Sequence, residues 1–321
     1  MKRTIVALLL CGAGACARSA QGRGPDAAAS DVADAAGGAP ADAALVPPAD
    51  GSPAAAPDAA PGDAAQPPAD VQPAAPDAPP GTPDAGKVWA AKPGTSWQWQ
   101  ITGTIDTTVD AQMYDVDLFD TPQATIDGLH RAGRIVICYL SAGSREDWRP
   151  DAAMFPAEAF GKGLDGWPGE RWLDTRSEAV RAIMKARLDR AVAKRCDGVE
   201  PDNVDAYGTD TGFPLTAATQ LDYNRFLARE AHGRGLSVGL KNDLEQVKAL
   251  LADFDWALNE QCLQYDECQL LTPFIEAGKA VFHVEYGAEA LAQTVCPKTK
   301  PLRFSTLIKK INLDAFRVAC P

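Results

Sequence analysis

The region from residue 87 to 321 is predicted to form an α/β fold, a (β/α)8 TIM barrel, behind a disordered Ala/Pro/Asp-rich N-terminal tether. Eight short apolar or β-rich runs recur through this region, most with a helical pattern between them, and strand–helix alternation builds a parallel sheet. The length suits one barrel of about 250 residues. The strands also end in polar groups, as strands do where they open onto a barrel mouth.

The runs are 97–101, 113–118, 134–140, 198–203, 237–241, 256–260, 280–286 and 304–308. A helix is expected over 122–132, capped by Asp120 and Thr121. Another is expected over 177–194, where Val180, Ile183, Met184, Leu188, Ala191 and Val192 recur at helical spacing. Helices over 216–233 and 243–251 follow, with Gly233 and Gly235 as stop signals. The rival architecture is a doubly wound open sheet, which no GxGxxG or GxxxxGK[ST] phosphate loop supports. The stretch between Ser141 and Asp174 is longer than an ordinary connection and holds Trp148, Phe155, Phe160, Trp167 and Trp172. It is either a hydrophobic plug or a platform on which sugar rings stack.

Residues 1–16 read as an export signal: Lys2 and Arg3, an apolar stretch too short to span a bilayer, then small residues. Ala13-Gly14-Ala15-Cys16 resembles a lipobox and makes Cys16 the candidate acylation site, although Ala13 stands where Leu is usual. Ordinary cleavage nearby is the alternative. The protein is thus expected to be exported, either lipid-anchored facing the periplasm or cell exterior, or secreted. Residues 17–86 collapse to Ala, Pro, Asp and Gly. With almost no large apolar side chain, nothing offsets the entropy of ordering them, so a tether is expected.

A net charge of -12 without a basic cluster argues against a nucleic-acid partner. It suits a neutral or cationic ligand, and solubility alone would explain it equally well. Of eight cysteines, Cys11 and Cys16 belong to the signal. The other six point to disulfides in an oxidising compartment. Cys262–Cys268 closes a short loop, Cys296–Cys320 ties down the C-terminus, and Cys138–Cys196 remains. Zinc is the competing explanation, but no paired CxxC occurs and there are three histidines.

Acidic residues converge on one barrel mouth: Asp115, Asp117 and Asp120 from the second strand, Glu200 and Asp202 from the fourth, Glu260 from the sixth and Glu285 from the seventh. His130 and His232 fall on helices and His283 within a strand, so carboxylates are the available acid and base. Hydrolysis of a glycosidic bond needs two of them, one protonated and one ionised. Asp202 and Glu260 are the leading pair, with Glu200 and Asp115 in reserve. The alternatives are a loop cap for Asp202 and an ion pair with Lys241 for Glu260. Lys241 is expected to bias a neighbouring carboxylate towards its charged form.

In these stretches the chain resembles glycoside hydrolase family 114, the endo-α-1,4-polygalactosaminidases. The resemblance rests on Trp97-Gln98-Trp99-Gln100, Tyr114-Asp115-Val116-Asp117, Cys138-Tyr139-Leu140-Ser141-Ala142-Gly143 and Gly166-Trp167-Pro168-Gly169-Glu170-Arg171-Trp172-Leu173-Asp174. It continues through Cys196 to Asp205, Gly239-Leu240-Lys241-Asn242, Asn259-Glu260-Gln261-Cys262 and Val284-Glu285-Tyr286. It implies a barrel enzyme, without metal or other cofactor, that cuts internal α-1,4 bonds of a galactosamine-containing polymer. It also implies Asp202 as nucleophile, Glu260 as acid/base and retention of configuration. Trp99, Asp115, Asp117, Tyr139, Ser141, Trp167, Glu200, Asn203, Lys241, Asn242, Glu285 and Tyr286 are expected to bind substrate. The expected partner is an amino-sugar polysaccharide, with membrane contact only through the lipid anchor and the chain acting as a monomer. Two alternatives are a non-catalytic carbohydrate-binding lipoprotein and a barrel hydrolase of another exopolysaccharide.

Overall fold

The computed structural model describes residues 88–321; the expected signal, Cys16 and the tether over 17–86 lie outside the described residues. Eight parallel strands stand side by side in chain order. They are β1 (Trp97–Trp99), β2 (Met113–Asp117), β3 (Ile135–Ser141), β7 (Gly198–Asp202), β8 (Ser237–Lys241), β9 (Trp256–Glu260), β10 (Val281–Tyr286) and β11 (Ser305–Lys309). A short strand, β12 (Val318–Ala319), adds to β11 antiparallel. The seam between the last and first barrel strands is bridged by side chains and by the C-terminal segment. Trp97 Nε1 donates to Ser305 O (2.9 Å), Arg317 Nε donates to Trp97 O (2.9 Å), and Ile101 N donates to Leu313 O (3.1 Å). The fold is a TIM barrel.

Two apolar clusters follow from period-2 alternation along the strands. One lies between the sheet and its helices and draws on Tyr114, Val116, Val136, Cys138, Leu140, Val199, Val238 and Leu240. The other fills the barrel with Trp97, Trp99, Met113, Ile137, Trp256, Leu258, Phe282, Val284 and Leu307. Phe282 sits 4.9 Å from the Trp97 ring and 5.4 Å from that of Trp256. Each inward-facing file is apolar or small where its strand begins and polar where it ends. Met113 leads to Asp115, Ile137 to Tyr139, Gly198 to Glu200 and Asp202, Gly239 to Lys241, Leu258 to Glu260, and Val284 to Tyr286. The large rings thereby lie below the polar mouth.

The helices are α1 (Gln123–Arg131), α2 (Glu178–Ala193), α3 (Ala217–His232), α4 (Val247–Leu250), α5 (Thr272–Glu276) and α6 (Ala292–Thr299). Thr216 caps α3 by accepting from Thr219 N (3.2 Å), while Thr219 Oγ1 accepts from Thr216 N (2.9 Å). The expected Asp120–Thr121 cap of α1 is absent. Pro122 holds the cap position without a side-chain bond, and Asp120 is drawn to Arg149 instead (3.1 Å). The helix expected from 243 starts late, because Asp243 has φ 43° and a short 3-10 turn precedes α4. No helix links β1 to β2 or follows β11 among the described residues.

The long excursion after β3 is a three-stranded antiparallel sheet of β4 (Ser144–Glu146), β5 (Phe160–Leu164) and β6 (Trp167–Leu173). Phe155 and Trp172 are buried, as a plug requires, while Trp148 and Trp167 remain 52% and 47% exposed. Disulfides join Cys138 to Cys196, Cys262 to Cys268 and Cys296 to Cys320. The first ties β3 to the segment entering β7, and the last ties α6 to the end of the chain.

Gly239 faces the barrel interior, where a Cβ would be driven into the Trp256 ring. Overpacking of this kind costs ~1–3 kcal/mol. Gly239→Ala is therefore expected to lower the unfolding free energy in urea titrations by an amount in that range, through a lower midpoint with little change in the slope of the transition.

Candidate active site

A single buried ammonium organises the barrel mouth. Lys241 Nζ at the end of β8 lies 2.9 Å from Glu200 Oε1, 2.9 Å from Asp202 Oδ1 and 3.4 Å from Glu260 Oε2. Its other side rests on the Trp99 ring, 4.8 Å from the centroid. A cation over an indole face is attracted by the ring quadrupole, so Trp99 supports the ammonium from beneath. Burial draws the Lys241 pKa down, but the charges of Asp202, Glu200 and Glu260 outweigh it and raise it well above the usual value.

The carboxyls divide by exposure. Asp202 and Glu260 keep 20% and 25% of their side chains open, whereas Glu200 is sealed. Asp115 is sealed too. Both oxygens of Asp115 and Oε2 of Glu200 meet no N–H or O–H donor. Each carboxyl is the other's partner, and a proton held between them bridges one Asp115 oxygen to Glu200 Oε2. Asp115 keeps that proton: burial raises its pKa well above the ordinary range, and the adjacent Glu200 charge raises it further. The expectation that Asp115 and Glu200 contact substrate is therefore corrected. They lie under the mouth, where Glu200 holds Lys241 from below and Asp115 backs Glu200.

Asp202 and Glu260 have parallel surroundings. Asp202 Oδ2 accepts from Tyr139 OH (3.0 Å) and, at 3.5 Å, from Asn203 Nδ2. Glu260 accepts from Tyr286 OH and, at 3.2 Å, from Asn242 Nδ2. Asn242 Oδ1 also takes Glu260 N (3.0 Å) and so grips the backbone beside the carboxyl. The residue after each of β7, β8 and β9 is left-handed: Asn203 (φ 62°), Asn242 (φ 51°) and Gln261 (φ 64°). Asn tolerates this region better than most residues, and here it turns its amide back over the strand end. Backbone strain gathered at one mouth is a mark of function. The close approach of Gly143 to Asn203 O leaves no room for a side chain, and Ala142 N and Gly143 N both bond Asp202 O (2.9 and 3.1 Å).

Other sequence candidates have different work. Asp117 is buried in an ion cluster, accepting from Arg149 Nη2 (2.6 Å), which also meets Glu146 (2.8 Å). Glu285 points away from its neighbours Val284 and Tyr286. It accepts from Leu263 N (2.9 Å) and contacts His283 Nε2 (3.1 Å), fixing the loop that holds Cys262 and Cys268. Trp99, being buried, offers no face for a sugar. Trp167 follows the tight Asp165-Gly166 turn and is 47% exposed. Ser141 is buried and bonded to Ser144 Oγ (2.6 Å). Cys262, Cys268 and His283 cluster closely enough for a metal, but the disulfide removes both thiolates.

Sequence reasoning singled out no role for Glu170. It lies in a glycine- and tryptophan-rich stretch whose pairing to β4 is non-local, and only that pairing carries it to Ser144.

The profile of glycoside-hydrolase family GH114 matches residues 79–321. The chain belongs to family GH114. It is a glycoside hydrolase. The chain is 44% identical to Ega3 of Aspergillus fumigatus, whose crystal structure was solved in complex with galactosamine; the match covers 72% of this chain and 97% of that one, with a TM-score of 0.70. The glycoside hydrolase domain of PelA from Pseudomonas aeruginosa matches at 13% identity over 70% of this chain and 97% of its own, with a TM-score of 0.56, and so shares the fold. An uncharacterized protein of Deinococcus radiodurans is 27% identical over 250 residues, 68% of this chain and 81% of the relative.

In this GH114 mouth, two solvent-reaching carboxyls bracket one fixed cation. Lys241 cannot be removed without leaving Glu200 buried and uncompensated, a loss worth ~3–5 kcal/mol for a broken buried pair. Lys241→Met is expected to lower stability by an amount in that range in urea titrations and to abolish activity in the folded fraction.

Proposed function

We propose that this protein is an exported endo-glycosidase that cleaves α-1,4 bonds of a galactosamine-containing polysaccharide, with Asp202 as nucleophile and Glu260 as acid/base. The single observation that carries this reading is that Asp202 and Glu260 are the carboxyls of the Lys241 cluster that reach solvent. Their contacts to one Nζ keep the nearest oxygens within ~6 Å, and retaining enzymes hold their carboxyls ~5–5.5 Å apart. Lys241 stands closer to Asp202 (2.9 Å) than to Glu260 (3.4 Å), which supports Asp202 as the group that attacks.

The chemistry then runs in two halves. Glu260 gives its proton to the glycosidic oxygen while Asp202 attacks the anomeric carbon, and the leaving chain departs as an alcohol. Glu260, now ionised, takes a proton from water, whose oxygen displaces Asp202 and restores the starting configuration. Tyr139, Asn203, Tyr286 and Asn242 hold the two carboxyls in place throughout.

The choice of an amino sugar rests on charge and on likeness. Four carboxyls, Asp115, Glu200, Asp202 and Glu260, surround one ammonium. One proton shared by Asp115 and Glu200 still leaves an acidic mouth, which suits the ammonium of a deacetylated galactosamine unit. Ega3, 44% identical, was crystallised with galactosamine. Lipidation at Cys16 and a tether over 17–86 would hold the barrel off a membrane surface.

Reducing-end release from polymers of α-linked galactosamine, N-acetylgalactosamine and glucosamine tests the reading. The galactosamine polymer is expected to be cut, and absence of cleavage in all three would leave a hydrolase of another exopolysaccharide. Asp202→Asn and Glu260→Gln are each expected to lower kcat by at least ~10²–10⁴-fold with unchanged circular dichroism. Near-normal turnover in either removes that residue from the pair. NMR of fresh product is expected to report the α-anomer first. Deleting residues 17–86 is expected to leave cleavage of soluble polymer unchanged.

A further inference from the structure

Behind Asp202, on the side away from Lys241, a row of polar side chains leads to a second buried acid. Asn203 Nδ2 contacts Asp202 Oδ2 (3.5 Å) and donates to Ser141 Oγ (3.0 Å). Ser141 Oγ meets Ser144 Oγ at 2.6 Å, and Ser144 Oγ donates to Glu170 Oε2 at 2.6 Å. The row joins two elements far apart in sequence, the strand end of β7 and the middle of β6. Ser141, Ser144 and Glu170 are all buried, so the row is not exchanged freely with water.

We propose that Glu170 is a positioning residue for Asp202, whose charge state is relayed through Ser144, Ser141 and Asn203. This rests on the reading of Asp202 as the catalytic nucleophile. The relay follows from counting donors and lone pairs. With Glu170 ionised, the Ser144 hydroxyl points at Glu170 and the Ser141 hydroxyl points at Ser144. Ser141 Oγ then has two lone pairs free, for Ser144 N (3.2 Å) and Asn203 Nδ2. Every donor is placed: one Asn203 N–H is drawn to Ser141 Oγ, with Ser144 Oγ at 3.3 Å, and the other faces Asp202 Oδ2 at the longer distance of 3.5 Å. With Glu170 neutral, the pull on the two hydroxyls is released. Each hydrogen bond along the row then weakens, because none ends on a charge, and the Asn203 amide is freer to close on Asp202.

A second observation gives the proton of Glu170 a place to go. Glu146 stands directly opposite Glu170 in the β4–β6 ladder, and its Oε2 is buried without a hydrogen-bond partner. A protonated Glu170 can supply that donor. The charged or titratable groups facing Glu170 are Glu146, Arg149, Asp202 and, across the mouth, Tyr139. Arg187 of α2 braces the same corner by donating to Ser141 O (2.6 Å) and standing 3.9 Å from Glu146 Oε2. Burial raises the Glu170 pKa; the Ser144 bond and Arg149 oppose the rise and the charges of Glu146 and Asp202 add to it, leaving it at about 7.

Both effects of ionising Glu170 act in one direction. Like charge disfavours the Asp202 anion, and the amide that would stabilise it is kept at the longer distance. An anion less stabilised by its neighbours attacks more readily. Turnover is therefore expected to rise as pH passes upward through about 7, on top of whatever limbs the catalytic pair imposes.

The test uses the full chain without substrate first. Carbon-13 NMR of aspartate carboxyls, with Asp202 assigned from Asp202→Asn, is expected to show an Asp202 step at the pH where Glu170 titrates. Glu170→Gln is expected to erase that step, and Ser144→Ala, which cuts the row but keeps the acid, to diminish it. In kinetics, Glu170→Gln is expected to match the wild type at pH 5.5 and to lose kcat several-fold at pH 8 with KM unchanged. An Asp202 titration that is the same in wild type and in both variants overturns the proposal, whatever the activity. An equal loss in Glu170→Gln at every pH also overturns it, since that is the signature of a structural role. If instead Asp202→Asn stays active, the assignment of the nucleophile fails, and the NMR result still decides whether Glu170 and Asp202 are coupled.

Discussion

The ammonium of Lys241 is the charge around which the barrel mouth is built. A lone buried cation would be expelled or neutralised, and buried carboxylates would be too. Together they are tolerated because each removes the other's cost and because the remaining lone pairs find donors. Lys241 meets Glu200, Asp202 and Glu260 from strands on both sides of its own. Trp99 fills the space beneath it. The result is a cluster layered by depth. The sealed Asp115–Glu200 pair sits at the bottom, the cation in the middle, and the two working carboxyls at the surface.

This layering explains why the mouth carries more acids than the chemistry needs. Two carboxyls suffice for glycoside hydrolysis. The others set the electrostatics of those two, one pair by anchoring Lys241 and Glu170 from the far side of Asp202. The hairpin sheet of β4, β5 and β6 is then part of the catalytic apparatus. Through Arg149 it is clamped to Asp117 on β2, and through Ser144 to Ser141 on β3. Its aromatic residues divide accordingly. Phe155 and Trp172 are buried, while Trp148 and Trp167 remain in solvent.

Strand alternation decides which acids belong to the mouth. Along β10, Val284 and Tyr286 face inward, so Glu285 between them cannot, and it serves the Cys262–Cys268 loop instead. Along β7, Glu200 and Asp202 face the same way, one layer apart, and only the outer one reaches water. The same acidic residue type thus becomes anchor, loop brace or solvent-facing carboxyl according to its height and face.

The barrel, its strand ends and the candidate pair were legible in the sequence because local rules govern them. Apolar runs at regular intervals make strands, helical periodicity makes the layer outside, and a parallel βα chain opens its mouth where strands end. Asp202 and Glu260 sit at such ends, and so could be named from position and residue type. What the sequence left open were quantities set by neighbours far away along the chain. The burial of Asp115 and Glu200, the turn of Trp99 beneath Lys241, the placing of Glu285 outside the mouth and the approach of Glu170 to Ser144 all depend on contacts between separate strands. Burial, charge and hydrogen bonding are collective properties of such contacts, so only the tertiary structure could assign them.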